Sequence, residues 1–337
     1  MNPTTALLPG GTSVPRHRLI GHVSFHVDAV AQAQSLRDFD RAPISLGLYP
    51  LVRDHQRRIV LTGTGASHVA ALPSWRRLVA RGKDACWIDI ENLLRHPQIV
   101  TSDSLLIATS RSGAGGQVRA LTDRLSETMR PAAMVAITDD LASPLAKIAD
   151  CEILLRSGTS GSPKGFLNAL IAHDYVASMI LNEDNDDVSP LARTVATTAL
   201  PTELREVAAD ITNHQGSRLA YVGYGEHAAA VLYAALLTNE MTTIPADAYI
   251  ARQHRHELLH RADAQLTALL FGSRSGPNVV LHALARDLIA AGSNVIVIGG
   301  GDVSGSTYIP SLTEHVVGAE VARNVVVIEQ FVSALTT

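Results

Sequence analysis

Three turns rich in serine and glycine are the clearest chemical signal, because each follows an apolar segment and precedes a helix-like one. They read TGTGASH at 62–68, TSRSGAGGQV at 109–118 and SGTSGSPKGF at 157–166. Small residues let the backbone approach a ligand, hydroxyls donate hydrogen bonds, and a helix N-terminus attracts negative charge. Three such turns predict an anion site, most simply for a phosphate group, with these candidate binding residues: Gly65, Ser67, Ser110, Arg111, Ser112, Ser162 and Lys164.

Two other motifs suggest different chemistry. GTGASH keeps only the first two glycines of the GxGxxG dinucleotide fingerprint, although Asp89 ends the next apolar run, where a ribose-binding acid would stand. The sequence HELLH at 256–260 matches the HExxH zinc motif. An apolar segment begins only four residues after His260, and position 266, where a third zinc-binding histidine would fall, is leucine. We therefore expect neither a nicotinamide cofactor nor a metal ion.

Composition excludes several classes of partner. A net charge of −4, a pI near 6.4 and 4% aromatic residues supply neither the basic field nor the stacking platforms that nucleic acids require. The two cysteines, Cys86 and Cys151, form no CxxC pair, which suits a reducing compartment. The N-terminus resembles no signal peptide, and no window has ~18 consecutive apolar residues. We expect a cytoplasmic protein that contacts neither nucleic acid nor membrane.

Short apolar runs alternate with amphipathic, helix-length stretches throughout the 337 residues. Runs of Val, Ile and Leu bounded by Gly, Ser and Asp are typical of parallel strands covered on both faces, so the fold class is α/β. The predicted strands are 59–65, 85–90, 104–110, 133–139, 151–157, 219–225, 264–272, 293–300 and, less clearly, 315–321.

Two landmarks recur at nearly constant spacing. Gly63 and Gly65 match Gly223 and Gly225 at an offset of 160, and SRSG occurs at 110–113 and again at 273–276, an offset of 163. Recurrence in the same strand-to-helix context indicates an internal duplication. The prediction is an N-terminal helical segment at 1–44, which contains a helix at 16–40. Two three-layer, flavodoxin-like domains follow, at 45–181 and at 200–337, with a linker at 182–199 between them.

On these motifs the sequence resembles the double sugar-isomerase (SIS) domain family, over about residues 50–330. That family includes the isomerase domain of glucosamine-6-phosphate synthase and fructosamine-6-phosphate deglycases. The family's motifs, in the form they take here, are GTGAS at 63–67, SRSG at 110–113, SPKGF at 162–166, NEM at 239–241, ADAY at 246–249 and RH at 255–256. The two domains are therefore expected to be SIS domains.

The resemblance implies roles for two further residues. Glu240 matches the carboxylate that moves a proton between C1 and C2 of an open-chain sugar phosphate. His256, 16 residues later, matches the histidine that opens the sugar ring or shuttles a proton. In relatives this histidine reaches the neighbouring subunit's site, which implies a homodimer. The implied partner is a small-molecule sugar phosphate, and no cofactor is expected.

Departures from the family pattern narrow the expected reaction. Leu237 stands where the synthase has a lysine, the lysine-bearing C-terminal tail has no counterpart, and Gly115 replaces the fourth loop hydroxyl. The chain shows no N-terminal cysteine nucleophile, so we expect no glutaminase activity. These features favour an isomerase or, slightly ahead of it, a deglycase acting on an amino-sugar phosphate or a phosphorylated Amadori compound. The alternative is a catalytically silent phosphosugar sensor.

Overall fold

The computed structural model describes residues 5–7, 13–15, 29–39, 42–54, 58–157, 164–184, 187–250, 255–273, 278–311 and 319–336. The chain divides into two compact units. The first-sheet unit comprises Asp28–Thr198 and Glu314–Arg323. The second-sheet unit comprises Met1–Val27, Ala199–Thr313 and Asn324–Thr337.

The first-sheet unit is built on five parallel strands in the order β4-β3-β5-β6-β7. They are β3 (Arg58–Gly63), β4 (Ala85–Asp89), β5 (Ser104–Thr109), β6 (Ala133–Thr138) and β7 (Cys151–Leu154). The helices are α1 (Ala29–Arg37), α2 (Ala42–Asp54), α3 (Ala66–Ala70), α4 (Leu72–Ala80), α5 (Ile90–Arg95), α6 (Gly116–Glu127), α7 (Pro144–Lys147), α8 (Lys164–Leu181) and α9 (Val188–Thr197). Every residue of β5 and β6 is buried, as expected of central strands covered on both faces.

The second-sheet unit repeats this arrangement. Its strands β8 (Arg218–Gly223), β9 (Ala246–Ile250), β10 (Leu266–Phe271), β11 (Asn294–Ile298) and β12 (Thr307–Ile309) are parallel in the order β9-β8-β10-β11-β12. The helices described here are α10 (Thr202–Asn213), α11 (Ala228–Met241), α12 (Arg255–His260), α13 (Val279–Ala290) and, from Asn324 onward, α14 (Ala319–Ala334). If the strands of each sheet are numbered along the chain, both sheets have the order 2-1-3-4-5, which is the flavodoxin-like order.

The core of each unit has two layers of side chains, one on each face of the sheet. In the second-sheet unit, Leu258 of α12 and Leu284 of α13 pack with Ala220 and Val222 on one face. On the other face, the hydroxyl of Tyr221 lies 2.8 Å from the Thr238 hydroxyl of α11. Because neighbouring strand residues point to opposite faces, α11 and α12 cover opposite sides of the same sheet.

The α/β fold class and the two parallel sheets are confirmed, and the eight clearer predicted strands all form. Residues 315–321 are not confirmed as a strand: 312–318 lie outside the described residues, and α14 begins at Ala319. The fifth strand of the second sheet is β12 instead.

The flanking segments also differ from the prediction. The region 1–44 contains a short antiparallel pair, β1 (Thr5–Leu7) and β2 (Ser13–Pro15), as well as α1. The predicted helix at 16–40 is found as α1, with 16–28 outside the described residues. Within the predicted linker 182–199, α9 forms because Ala192 and Val195 bury one face.

Candidate functional site

The strand order of the first sheet creates one crevice at its carboxyl edge. The chain leaves β3 towards β4 on one side, whereas it leaves β5 towards β6 on the other. Gly63 and Thr109, the last residues of β3 and β5, are register partners, so the two following loops start side by side. In open parallel sheets, ligands bind at this topological switch point.

Glycine is required where these two loops meet. A Cβ atom at Gly63 would lie 3.0 Å from both the Ser67 carbonyl carbon and the Thr109 carbonyl oxygen. Gly65 has φ +52°, a left-handed conformation that glycine adopts without strain. The Ser67 amide donates to the Thr64 carbonyl at 3.1 Å and closes the turn. The backbone of Ser67 therefore lies close to Thr109, the last residue before the loop that follows β5.

The Ser110 loop (residues 110–115) is a tight turn whose interior is held by its own first serine. The Gly113 amide donates to the Ser110 carbonyl at 3.1 Å and to Ser110 Oγ at 3.2 Å. Gly113 has φ +58°, and a Cβ there would lie 2.1 Å from Ser143 Oγ. Ser110 is buried, whereas Ser112 is exposed. The loop is thus held by contacts on its buried side, at Ser110 and Gly113, and is exposed to solvent at Ser112.

Helix α6 starts at this open side. Its N-cap residue is Gly115, and no side chain caps the helix. A Cβ at Gly115 or at Gly116 would meet no atom within 4 Å. The first amide groups of a helix have no partner inside the helix, and the helix dipole adds partial positive charge at that end. The loop therefore offers amides and hydroxyls to an anion.

Arg111 is tied to the neighbouring loops through its backbone and its side-chain stem. Its carbonyl accepts from Thr138 Oγ1 at 3.1 Å and from the Asp139 amide at 2.9 Å. A Cβ at Gly165 would lie 3.1 Å from Arg111 Cδ, so the stem passes close to the start of α8. The Arg111 side chain therefore extends from the Ser110 loop towards the start of α8.

The third predicted turn is only partly described. Ser162 lies outside the described residues, and Lys164 is the first residue of α8. The entry to this turn is rigid: Arg156 has φ +55°, and the Ser157 amide donates to Asp139 Oδ1 at 2.8 Å. The Ser157 hydroxyl also donates to Asp139 Oδ2.

Two histidines lie behind the loops of the first-sheet unit. The His68 ring stacks on the Trp87 indole, with ring centroids 4.1 Å apart and planes 3° from parallel. Burial lowers the pKa of His68, and the Asp89 carboxylate partly opposes that effect. His173 of α8 is buried, its Nε2 lies 2.9 Å from Thr109 Oγ1, and burial lowers its pKa to about 3. Both imidazoles are therefore neutral at physiological pH.

Glu240 and His256 both belong to the second-sheet unit. Glu240 is the penultimate residue of α11, and its neighbour Asn239 pins the helix to β9 through two bonds with Ala246, of 2.7 and 3.0 Å. Its carboxylate is exposed to solvent on one side, yet partial burial raises its pKa. His256 is exposed on α12. Because α11 and α12 cover opposite faces of the sheet, the structure places these two residues on opposite sides within one chain.

The second sheet has an equivalent switch point between β8 and β10, where a side chain bonds to the residue at the start of the following loop. Asn278, the N-cap of α13, accepts from the Ser273 amide at 3.1 Å and donates to the carbonyls of Ser273 at 2.6 Å and Gly300 at 3.0 Å. Asn278 corresponds to Gly115, since each is the N-cap residue of a helix of 12 residues. Residues 274–277, which include the last three residues of the repeated SRSG, lie outside the described residues.

The two competing motifs have ordinary structural partners. Asp89 accepts from the Asn92 amide at 3.0 Å and from its side-chain amide at 2.6 Å, so its carboxylate caps α5. The HELLH motif forms a helix of six residues with His256 and His260 exposed. Within the part of the chain that the structure describes, no three His, Cys, Asp or Glu side chains form a group able to hold a metal ion.

The sequence analysis assigned a role to neither His173 nor Asn278. His173 is buried, and its contact with Thr109 joins residues 64 positions apart, which no local pattern reveals. The signal for Asn278 was available: SRSG aligns 110–113 with 273–276, which places Asn278 opposite Gly115.

Comparison with known proteins agrees with this architecture. The chain is 24% identical over 293 residues to the glutamine–fructose-6-phosphate aminotransferase (isomerizing) of Treponema pallidum (strain Nichols), in an alignment covering 81% of this chain and 45% of that protein. The C-terminal domain of the Francisella tularensis glucosamine-fructose-6-phosphate aminotransferase superposes with a TM-score of 0.71, at 13% identity and 93% coverage of each chain. Tagatose-6-phosphate ketose/aldose isomerase from Escherichia coli gives 0.72, at 20% identity, covering 92% of this chain and 90% of that one. The chain has the SIS fold.

The resemblance on which the sequence analysis rests is thereby confirmed at the level of fold. The chain spans about half the length of the Treponema protein, and no family model matches it. None of the described helices is long and apolar enough to cross a bilayer.

Proposed function

We propose that this SIS-fold chain is a phosphosugar isomerase or deglycase that moves a proton between C1 and C2 of an amino-sugar phosphate or a phosphorylated Amadori compound. One observation carries the proposal: the Ser110 loop is open at the switch point of the first sheet, with an uncapped helix N-terminus behind it. The SIS fold and the phosphosugar enzymes that share it support the same class of substrate.

The phosphate group is assigned to the first-sheet unit. Ser110 and Ser112 supply hydroxyls, the first turn of α6 supplies amides, and Arg111 supplies positive charge close to the loop. Ser67 adds a hydroxyl from the neighbouring turn. Ser162 and Lys164 are assigned to the same ligand by their match to the family motif. A dianion suits such a site because its several oxygens accept many hydrogen bonds at once.

Proton transfer is assigned to Glu240. In its deprotonated form the carboxylate removes a proton from one of the two carbons and returns it to the other. The double bond of the intermediate enediol or enolamine lies between C1 and C2. Partial burial raises the pKa of Glu240, and a carboxylate with a raised pKa is a stronger base than an ordinary one. Activity should therefore fall as the pH drops through this raised pKa.

His256 is assigned to the site of a second copy of the chain. The placement of α11 and α12 on opposite faces of one sheet supports this, because a histidine supplied by a partner need not cross the sheet to meet Glu240. The histidine would open the ring or move the proton of the sugar oxygen or substrate nitrogen. The proposed assembly is a homodimer in which each site takes one of these residues from each chain.

The deglycase assignment needs one further step. Proton transfer from C1 to C2 converts the Amadori ketose, a 1-amino-1-deoxy sugar, into the imine of the aldose, in which C1 is doubly bonded to nitrogen and C2 carries a hydroxyl. Water then adds at C1 and the bond from C1 to nitrogen breaks, releasing the amine and an aldose phosphate. Neither step requires a metal or an organic cofactor. Leu237 is buried in α11, so position 237 offers no charged amine to the site.

Proton NMR in D2O tests the chemistry. The wild-type chain is incubated with fructose 6-phosphate and, separately, with the 6-phosphate of a fructosamine adduct. We expect deuterium to enter C1 or C2, and free amine to appear with the adduct. Glu240→Gln should lower the exchange rate by ~10²–10⁴-fold, whereas Glu206→Gln, an exposed glutamate of α10, should exchange at the wild-type rate. No exchange with either substrate by a folded wild-type chain would contradict the enzyme assignment.

Mixed subunits test the sharing of His256. Glu240→Gln and His256→Gln are each inactive alone, but a mixed dimer contains one site with both natural residues. Random mixing should restore about a quarter of wild-type activity if each site draws on two chains. No recovery from mixtures shown to contain heterodimers would place both residues in one chain's site.

The second candidate is a phosphosugar sensor without turnover, which the uncharged Leu237 and Gly115 favour. A sensor binds fructose 6-phosphate with the same affinity in wild type and Glu240→Gln and exchanges no deuterium in either. Calorimetric titration of both proteins, beside the NMR measurement, separates the two candidates.

A further inference from the structure

The strand that leads into the Ser110 loop ends in a buried hydrogen bond that the proposed chemistry does not use. Thr109 is the last residue of β5, and Ser110 follows it directly. The Thr109 hydroxyl lies 2.9 Å from His173 Nε2, and both residues are buried. The bond therefore connects the first residue before the loop to α8, across the face of the sheet.

Retaining a histidine at this place has a cost. His173 is 1% exposed, and its Nδ1 atom has no hydrogen-bond partner among the described residues. A buried polar atom without a hydrogen-bond partner destabilises a fold. An aromatic hydrocarbon ring would fill similar space without that cost, so the Thr109 contact is the property that only a polar side chain supplies.

The second sheet shows a different way to hold the equivalent loop. Phe271 pairs with Gly223 as Thr109 pairs with Gly63, so a side chain without a hydroxyl occupies the register position of Thr109. The loop of that sheet is held by Asn278, whose side chain bonds to Ser273 and Gly300 from within. Asn278 therefore helps to hold its loop through its side chain, whereas Gly115, at the same position in the first-sheet unit, has no side chain that could do so.

We infer that His173 is a positioning residue: through Thr109 it fixes the start of the Ser110 loop from beneath, so that the loop is preformed and empty when the sugar phosphate arrives. This inference rests on the proposed function, since it assigns a role in binding the same phosphate group. His173 contacts no part of the substrate; its effect passes through one hydrogen bond.

Titration calorimetry with fructose 6-phosphate tests the effect on binding. Thr109→Val keeps the shape and removes the hydroxyl, and His173→Phe keeps the ring and removes the nitrogen. Each should weaken binding about five- to tenfold, the equivalent of one ordinary hydrogen bond. Thr109→Ser retains the hydroxyl and should bind like wild type. The double variant should be no weaker than either single variant, because both remove the same bond.

A matched control separates positioning from general stability. Tyr221→Phe removes an equally buried hydroxyl bond, of 2.8 Å to Thr238, in the second-sheet unit. It should lower the unfolding temperature about as much as Thr109→Val while leaving the affinity unchanged. Equal weakening by Tyr221→Phe and Thr109→Val, or wild-type affinity in Thr109→Val, would overturn the inference.

Amide hydrogen exchange without ligand keeps the inference separate from the proposed function. Exchange at residues 110–115 should quicken about five- to tenfold in Thr109→Val and remain at the wild-type rate in Tyr221→Phe. If wild type fails to bind fructose 6-phosphate yet this exchange pattern appears, the proposed function fails and the positioning role stands. If the amide exchange rates of residues 110–115 are unchanged in Thr109→Val, the positioning role is wrong, whether or not fructose 6-phosphate binds.

Discussion

The two switch points differ in what occupies them. In the first-sheet unit, Gly115 leaves the start of α6 uncapped and the Ser110 loop open. In the second-sheet unit, the Asn278 side chain makes three hydrogen bonds, to Ser273 and to Gly300. Strand order and helix length are the same in the two units. The two units therefore share one topology and differ in the residue at the N-cap of the helix that follows the loop.

The open loop lies in one unit, and the candidate base Glu240 lies at the end of a helix in the other. Four substitutions or conditions test this contrast.

The largest effect should come from Gly113→Ala, which breaks the open loop. The residue has φ +58°, and the new methyl group would lie 2.1 Å from Ser143 Oγ. Strain and overlap together should lower the free energy of unfolding by about 3 kcal/mol and abolish binding of fructose 6-phosphate. Urea denaturation measures the first and calorimetry the second. Gly116→Ala, with open space around it, should unfold at the wild-type urea concentration or above; equal loss in both variants would contradict the account.

Acid should destabilise the first-sheet unit through His173. Its pKa is about 3 in the folded chain against 6.5 for an ordinary histidine, so between these values the unfolded chain binds the extra proton. Stability is then fully present above pH 6.5 and declines as the pH falls towards 3, by up to about 1.4 kcal/mol per pH unit. The measurement is urea unfolding from pH 7 to 4.5, in which His173→Phe should show a shallower decline. Parallel curves for the two proteins would show that His173 does not titrate in this way.

Gly115→Asn places in the first-sheet unit the same residue type, asparagine, that stands at the corresponding position 278 of the second-sheet unit. Nothing lies within 4 Å of the new Cβ, and asparagine is a favourable N-cap residue, so the fold should be as stable as wild type or slightly more so. Affinity for fructose 6-phosphate should fall about tenfold because the amide competes for the loop's hydrogen bonds. Gly115→Ser is the matched variant: it adds a small hydroxyl and should bind at least as tightly as wild type. Equal affinity in the Asn variant and wild type would show that loop occupancy is not decisive.

The smallest effect is expected from Asn278→Ala. It removes the filling side chain of the second loop and should lower the free energy of unfolding by about 1 kcal/mol. Binding of fructose 6-phosphate should keep its wild-type affinity and one-to-one ratio, because the first loop is untouched. A changed affinity would mean that the second loop contributes to binding.

Much of the fold was accessible from the sequence because buried parallel strands are continuous apolar runs. The exceptions were strands whose pattern differs: β9 contains Asp247 and is partly exposed, and β12 has only three residues. Helix α9 was obscured by the acidic stretch that precedes it, although its buried face shows helical spacing.

The candidate site residues could be predicted from the sequence where they lie close together along the chain. Gly65, Ser67, Ser110, Arg111 and Ser112 lie along two turns that the strand order brings together. What sequence could not supply were contacts between distant positions, such as Thr109 with His173. The placement of α11 and α12 on opposite faces likewise depends on which alternate residues of β8 each helix covers.

The parallel pairing of the sheets has a consequence for how the chain is made. Arg58 of β3 pairs beside Ser104 of β5, and Arg218 of β8 beside Leu266 of β10, so each central pair closes a loop of more than 40 residues. Such long closures slow folding. The strands of the first sheet end at Leu154, before those of the second begin, so a ribosome delivers one complete sheet first. Both units nevertheless include part of α14, since the buried Ala322 belongs to the first-sheet unit and the buried Val325 and Phe331 belong to the second. The apolar surface that α14 covers in each unit should therefore stay exposed to chaperones until α14 is synthesised.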